Sequence, residues 1–212
     1  MQMTFIFEQI KTGGDRNFGY LIGDRESQSS IVIDPSYRPE LFVERAKAQG
    51  VNIQAIFNTH LHSDHTNGNT AVQKQTGAKI FQFGKDLEEG SVINVGRYDI
   101  QVLHTPGHTE DHVVFYEPKY QLAFTGDHLF VGKIGGTSSE AAAKQQHESL
   151  QRLLTELPET STVWPGHDVG CRPSSTLYLE SKTNPFLVAE SLDAFLEMKE
   201  KWADYKKEMG LK

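Results

Sequence analysis

The sequence is short of several features that would place it in other classes of protein. Cys171 is the only cysteine, which excludes an intrachain disulfide and a zinc finger built from cysteines. No stretch approaches 18 apolar residues and the first residues lack the apolar core of a signal peptide, so we expect no membrane partner and a cytoplasmic setting. The net charge is −7 without a run of lysine or arginine, which argues against nucleic acid as a partner.

The remaining composition is that of an ordinary globular protein. Of the 212 residues, 37% are hydrophobic and 23% are charged, which suits one domain over residues 1–212 and does not indicate an oligomeric state. Helix-like segments occur at intervals between runs of strand-like segments, and two sheets packed face to face with helices outside would satisfy this α/β order. Strands are predicted at 4–10, 18–22, 31–33, 53–57, 79–83, 91–95, 99–104, 112–116, 121–125 and 163–164, and helices at 39–49, 66–76 and 139–157.

The end of the chain carries one apolar stripe at helical spacing. Its members recur every three or four residues: Phe195, Met198, Trp202, Tyr205 and Met209. This pattern predicts a C-terminal helix over about residues 191–209 that packs on the body of the domain.

One stretch of the sequence concentrates side chains that bind metals. Between Asn58 and Gly68 it supplies His60, His62, Asp64 and His65. In an extended segment, residues two apart leave the same side of the backbone, so His60 and His62 can share one metal. The next two can point elsewhere, which favours two metals side by side.

The same pattern recurs three times further along the chain. A short apolar strand is followed by a small or turn residue and then by a ligand-type side chain: His108, Asp127 and His167. Strand ends in a layered fold gather at one edge, where ligands are held rigidly. We therefore expect these residues to converge with the first stretch.

Seven side chains divide into three for each metal and one bridge. We assign His60, His62 and His108 to one metal, and Asp64, His65 and His167 to the other. Asp127 is the predicted bridge because a carboxylate has two oxygens, and Asp64 and Asp127 are the predicted catalytic residues. Imidazole with carboxylate suits two divalent ions, zinc first, with iron or manganese as alternatives. The candidates for orienting the ligand imidazoles are Thr59, Asp34 and Asp168.

The motifs together resemble the metallo-β-lactamase superfamily. They read His60-Leu61-His62-Ser63-Asp64-His65, Gly107-His108-Thr109, Thr125-Gly126-Asp127 and Gly166-His167. The resemblance implies an αββα four-layer sandwich, in which two mixed β-sheets are flanked by helices and hold a dinuclear site at one edge. The segments 125–131, 173–177 and 184–187 are similar to the glyoxalase II (hydroxyacylglutathione hydrolase) branch. That branch implies a thioesterase acting on a small acyl-thiol, such as a hydroxyacylglutathione, with a metal-bridging hydroxide as the nucleophile.

Two matters stay open at the level of the sequence. Lys133, Arg172 and Tyr178 are candidates for binding an anionic end of the substrate. The alternative function is a persulfide dioxygenase, a sulfur oxidoreductase of the same superfamily, with a single iron held by His60, His108 and Asp127.

Overall fold

The first half of the chain builds a five-stranded sheet. We describe it from a computed structural model, which covers residues 4–210. The strands lie in chain order across the sheet, as β1 (Phe5–Gly13), β2 (Asn17–Asp24), β3 (Ser29–Ile33), β4 (Asn52–Phe57) and β5 (Lys79–Ile80). The first three strands are antiparallel, whereas β4 pairs in parallel with both β3 and β5.

A helix whose two ends are encoded in the sequence joins β3 to β4. This helix, α1 (Pro39–Gln49), has proline at its first position, where the missing N–H has no intrahelical partner to lose. It ends at Gly50 in the left-handed region, with φ of 72°. The predicted helix 39–49 is therefore confirmed, and its residues Phe42 and Ala46 are buried against the sheet.

The second half of the chain builds a six-stranded sheet. In chain order its strands are β6 (Val92–Val95), β7 (Tyr98–His104), β8 (Val113–Glu117), β9 (Leu122–Gly126), β10 (Thr162–Pro165) and β11 (Ser175–Thr176). Strands β6 to β9 are antiparallel, and β10 pairs in parallel with β9 across the helix α4 (Glu140–Glu156). Both sheets thus repeat one connection, an antiparallel run followed by a helix and a parallel strand.

Three clusters of buried apolar side chains define the layers. The central cluster joins the facing sides of the two sheets, with residues such as Tyr20 and Phe57 against Phe115 and Phe124. Another group of apolar side chains packs the outer face of the first sheet against α1 and the helix α3 (Asn69–Thr76). The third packs the outer face of the second sheet against α4 and the C-terminal helices. The predicted αββα sandwich is confirmed.

The helix predicted over residues 66–76 is divided in two. A short helix, α2 (Ser63–Thr66), precedes α3, and Gly68 lies between them. A β-carbon at Gly68 would lie 1.7 Å from the carbonyl oxygen of Pro35, so the backbones touch there and only glycine fits. This contact turns the chain before α3 begins.

The tail also differs from its prediction. After α5 (Leu177–Thr183), the predicted helix 191–209 is divided at Lys201 into α6 (Leu192–Glu200) and α7 (Trp202–Glu208). Phe195 is fully buried under α6 as the stripe requires, but Met209 is 60% exposed. The apolar stripe therefore packs on the domain at its start and leaves it at its end.

Residues 1–3 and 211–212 of the predicted domain lie outside the described residues, and the assignment of one domain over 1–212 stays a prediction. Within residues 4–210, no helix has both the length and the apolar character needed to cross a bilayer.

Candidate metal centre

The loop that leaves β4 delivers histidines to the open edge between the two sheets. His60 is buried, and its Nε2 atom lies 3.0 Å from Nδ1 of His62. The same Nδ1 atom lies 3.1 Å from Nε2 of His108, which follows β7. These three residues form the first cluster, and their nitrogens are close enough for one ion to contact all of them.

A second cluster forms beside the first. Helix α2 carries Asp64 and His65, and the chain after β10 carries His167. The Oδ2 atom of Asp64 lies 3.4 Å from Nε2 of His167 and 3.7 Å from Nε2 of His65. The structure thus brings together residues that are about a hundred positions apart in the sequence, as the strand-end pattern predicts.

Asp127 lies between the two clusters at the end of β9. Its Oδ1 atom is 3.3 Å from Nε2 of both His65 and His167. Its Oδ2 atom is 3.7 Å from Nε2 of His108 in the first cluster. One carboxylate therefore offers one oxygen to each cluster, which is the arrangement that a bridging ligand needs.

Four of the five histidines point Nε2 at the centre because Nδ1 is held from outside. Nδ1 of His65 donates to Asp34 Oδ2 at 2.9 Å, that of His108 to the carbonyl of Gly136 at 2.7 Å, and that of His167 to the carbonyl of Asp15 at 2.8 Å. Such bonds fix both the tautomer and the orientation of an imidazole. The exception is His62, which turns Nδ1 towards the cluster.

Asp34 organises the side of the site that faces the first sheet. Its carboxylate accepts from the backbone N–H of Thr59 at 2.8 Å and from the Thr59 hydroxyl at 2.7 Å. Because that hydroxyl donates to Asp34, its oxygen accepts from Nδ1 of His60 at 3.2 Å. Thr59 and Asp34 orient the imidazoles as the sequence suggested, whereas the described contacts of Asp168 include an ion pair with Lys11 and no histidine of the site.

The electrostatics of the site favour positive charge at its centre. Burial alone would lower the pKa of His65, yet the carboxylates of Asp34 and Asp127 raise it well above its usual value. Burial would raise the pKa of Asp127, but His167 and His65 hold it well below its usual range. In the first cluster, burial and the neighbouring histidines lower the pKa of His60 to about 2, which keeps that imidazole neutral, as a metal ligand must be.

Two buried polar atoms support the fit of metal ions to this site. Nε2 of His65 and Oδ1 of Asp127 are buried without a hydrogen-bond partner, and the two atoms lie 3.3 Å from each other. Buried polar atoms are seldom left unpaired in proteins, and a divalent cation is a partner suited to both. The donor set of imidazoles and carboxylates therefore fits two ions.

Sequence reasoning missed Asn17, which begins β2. Its side-chain amide donates to both Oδ2 and the backbone carbonyl of Asp64, each at 3.1 Å, and so fixes the carboxylate of the second cluster. A lone asparagine after a turn carries no sequence signal for this role. The carbonyls of Asp15 and Gly136 have no signal either, because every residue carries a carbonyl.

A cleft of about 960 Å³ borders the site, between the loop 130–140 and helices α6 and α7. Its lining includes Lys133, whose pKa is lowered by burial, and Phe130, whose ring centroid lies 5.8 Å from that of His167. The other two candidates for substrate binding do not line this cleft. The exposed Arg172 donates to Ser175, and the half-exposed Tyr178 lies on α5.

Comparisons with known proteins agree with this geometry. A sequence model of the metallo-beta-lactamase superfamily matches residues 12–86 and 81–167, which contain all seven side chains. The chain belongs to the metallo-beta-lactamase superfamily. Among its relatives in this superfamily, the hydroxyacylglutathione hydrolase of Polaromonas sp. is 36% identical over 77% of the chain and 66% of its own length. That of Rhodospirillum rubrum is 30% identical over 90% of the chain and 89% of its own length, so the resemblance to the glyoxalase II branch is confirmed.

Solved structures of the superfamily show the same fold. The crystal structure of ETHE1 from Myxococcus xanthus superimposes with a TM-score of 0.85 and is 29% identical, covering 93% of this chain and 91% of that one. The chain spans 62% to 66% of the length of the first three curated relatives that it matches. The shared superfamily therefore establishes the fold, whereas substrate and reaction rest on the site.

Proposed function

We propose that this protein is a dinuclear metal-dependent hydrolase of the glyoxalase II type, which cleaves a small acyl-thiol such as a hydroxyacylglutathione. The observation that carries the proposal is the position of Asp127, which offers one carboxylate oxygen to each cluster. A carboxylate in this position can bridge two ions that lie side by side. The similarity to relatives named hydroxyacylglutathione hydrolase supports the choice of a thioester as substrate.

The first cluster and the second cluster would each hold one divalent ion, zinc by preference, with iron or manganese as alternatives. When bound, the ions would lower the pKa of a water molecule towards about 7 and polarise the thioester carbonyl. Such a pair of ions suits the hydrolysis of a thioester, because the thiolate product leaves without a proton. The site therefore needs no separate general acid.

The side chains of the protein have distinct roles in this proposal. Asp127 holds the two ions together, and Asp64 completes the second cluster in an orientation fixed by Asn17. Asp34 and Thr59 hold two imidazoles in the tautomer that presents Nε2 to the ions. These contacts fix the ligands before substrate arrives, which avoids reorganisation during the reaction.

The cleft beside the site would bind the substrate. Lys133 lies on its wall, 5.5 Å from the ring centroid of Phe130, and would contact an anionic end of the acyl-thiol. Arg172 and Tyr178 stay weaker candidates because they do not line the cleft. The substrate remains a small molecule in this proposal, and the cytoplasmic setting stays a prediction from the composition.

A mononuclear-iron persulfide dioxygenase is the second candidate. The three side chains that it would use, His60, His108 and Asp127, are all present at the site, with Nε2 of His108 3.7 Å from Asp127. The close superposition on ETHE1 is the comparison that supports this second candidate. It predicts one iron for each chain and consumption of oxygen.

Metal content and two substrates separate the candidates. The purified protein, loaded in turn with zinc, iron and manganese, is given S-lactoylglutathione and glutathione persulfide. We expect about two ions per chain and loss of the thioester absorbance. One iron per chain with oxygen uptake and no thioester cleavage would overturn the proposal.

A pair of aspartate variants tests the bridge in the same assays. Asp127→Ala should lose metal and hydrolysis together because both clusters share this carboxylate. The control is Asp99→Ala, which removes an exposed carboxylate on β7 and should leave both unchanged. Full metal occupancy in Asp127→Ala would show that the bridge is wrongly assigned.

A further inference from the structure

Helix α6 places a lysine ammonium among uncharged partners close to the first cluster. The Nζ atom of Lys199 donates to the side-chain oxygen of Gln146 at 2.6 Å and to the carbonyl of Gly135 at 3.3 Å. Among the ion pairs of residues 4–210, none includes Lys199. Burial without a carboxylate lowers the pKa of this lysine to about 8. Partial burial of an ammonium without a carboxylate is unfavourable, and hydrogen bonds such as these two offset the lost hydration.

The partners of Lys199 lead directly to a side chain of the metal centre. Gly135 precedes Gly136, whose carbonyl accepts the Nδ1–H of His108. The Gly135 carbonyl accepts a second bond, of 3.2 Å, from the amide of Gln146. Two donors therefore fix the peptide that stands next to the acceptor of His108.

Gln146 also fixes the chain on the other side of His108. It is fully buried in α4, and a β-carbon on Gly107 would lie 2.4 Å from its Cα atom. Gly107 therefore packs closely against the backbone of α4 at Gln146, the same residue that Lys199 contacts. The loops on both sides of this imidazole therefore meet at one buried residue of α4, Gln146.

We propose that Lys199 is a positioning residue for His108. Lys199 acts through the Gly135 carbonyl and Gln146, and in this way it makes the first cluster depend on the C-terminal helix α6. The ammonium holds the loop 135–136 against α4, and the loop holds the imidazole in the tautomer that directs Nε2 to the ion. In the second cluster the corresponding acceptor for His167 is the Asp15 carbonyl, which belongs to the turn between β1 and β2 and not to the loop that Lys199 contacts. This inference rests on the proposed metal centre but not on the identity of the substrate.

The difference between the two clusters supplies an internal control. Spectra of the zinc-loaded protein with ¹⁵N-labelled histidine report the Nδ1–H groups of His108 and His167 separately, once each is assigned by its own alanine variant. Lys199→Met keeps a side chain of similar length and removes the ammonium, which lies 5.6 Å from the ring centroid of Phe195. In this variant we expect the His108 signal to shift or broaden and the His167 signal to stay. A lysine that only contacts substrate would move neither, because no substrate is present.

Direct titration of the metal-free protein with zinc gives a second readout. Lys199→Met should bind one of its two ions about tenfold more weakly, in the range found when a residue behind a ligand is removed. Lys199→Arg, which keeps a cationic donor, should restore most of the affinity. Lys201→Met is the matched control, since Lys201 is 63% exposed and, within residues 4–210, its ion-pair partner is the exposed Glu197. Should Lys199→Met fail to fold, Lys199→Gln carries the same expectation.

The outcomes separate this inference from the proposed function. A wild-type protein that binds no zinc would defeat the metal centre itself. A wild-type protein with two ions, beside a Lys199→Met variant with the same affinities and the same His108 signal, would overturn only the role of Lys199. A weaker ion and a changed His108 signal in Lys199→Met, both restored by arginine, would support it.

Discussion

Nδ1 of His65 donates to Oδ2 of Asp34 across 2.9 Å, and both side chains are fully buried. This bond joins the end of β3 to helix α2, which carries two side chains of the second cluster. It sets the direction in which His65 presents Nε2.

The bond predicts the effect of Asp34→Asn. Asparagine keeps the shape of the side chain and tolerates the left-handed backbone at this position, where φ is 51°. It loses the charge that accepts from both His65 and Thr59, so we expect metal affinity to fall by about 10- to 100-fold. Competition with a chromogenic chelator measures the affinity. Asp99→Asn is the control, and equal affinities in the two variants would contradict the role of Asp34.

Two adjacent glycines in the loop beside His108 predict opposite outcomes. A β-carbon on Gly135 would lie 2.0 Å from the carbonyl oxygen of Asp127 and 3.0 Å from Nδ1 of His108, whereas one on Gly136 would meet nothing within 4 Å. Gly135→Ala should therefore cost about 1–3 kcal/mol of the free energy of unfolding and weaken metal binding. Gly136→Ala should change the free energy of unfolding by at most about 0.5 kcal/mol. Urea unfolding of both variants tests the pair, and similar losses in both would mean that the contact at Gly135 yields easily.

The pKa of Lys199 predicts a pH dependence of stability with a definite sign. The pKa is about 8 in the folded protein and near its ordinary value of 10.5 in the unfolded chain. Between these values the unfolded chain binds more protons, so the penalty for burying the ammonium disappears as pH rises through this window. Well below pH 8 the penalty is fully present and constant.

The measurement compares the free energy of unfolding of the wild-type protein and Lys199→Met, both with chelator, at pH 7.5 and 9.5. The difference between them should move in favour of the wild type at the higher pH, because only the wild type carries this lysine. A difference that does not change with pH would show that Lys199 keeps an ordinary pKa.

Two residues of the apolar stripe on the C-terminal helices should differ strongly in their contribution to the free energy of unfolding. Phe195 is fully buried, with ring centroids 4.9 Å from His147 and 6.1 Å from Phe186. Phe195→Ala should cost about 3–5 kcal/mol of the free energy of unfolding because it leaves a cavity under α6. Met209→Ala should cost at most about 0.5 kcal/mol, since Met209 is 60% exposed. Thermal and urea unfolding measure both, and a small loss for Phe195→Ala would mean that the tail is loosely attached.

Much of the fold could be predicted from the sequence because local signals agree with the final packing. Helix 39–49 carries its own start and stop signals in Pro39 and Gly50, and the buried strands read as short apolar runs. The positions after those strands carry the imidazoles and carboxylates, so the meeting of seven side chains could be foreseen from the rule that strand ends share an edge.

The rest depends on contacts that leave no local signal. The break at Gly68 follows from a carbonyl some thirty residues earlier, and the break at Lys201 has neither glycine nor proline to mark it. The oxygens that orient His108 and His167 belong to the backbone, which is chemically the same at every residue. The repeated connection in the two sheets is also silent in the sequence, since the repeat lies in the topology and not in the residues.

That repeated connection makes each sheet contribute part of the centre. His60 and His65 follow the parallel strand of the first sheet, and Asp127 and His167 follow β9 and the parallel strand of the second. Ions held between them would be cross-links that close loops of about a hundred residues, and long closed loops restrict an unfolded chain most. Metal binding would then link the two sheets reversibly, and the metal concentration would determine whether the two sheets unfold together or separately.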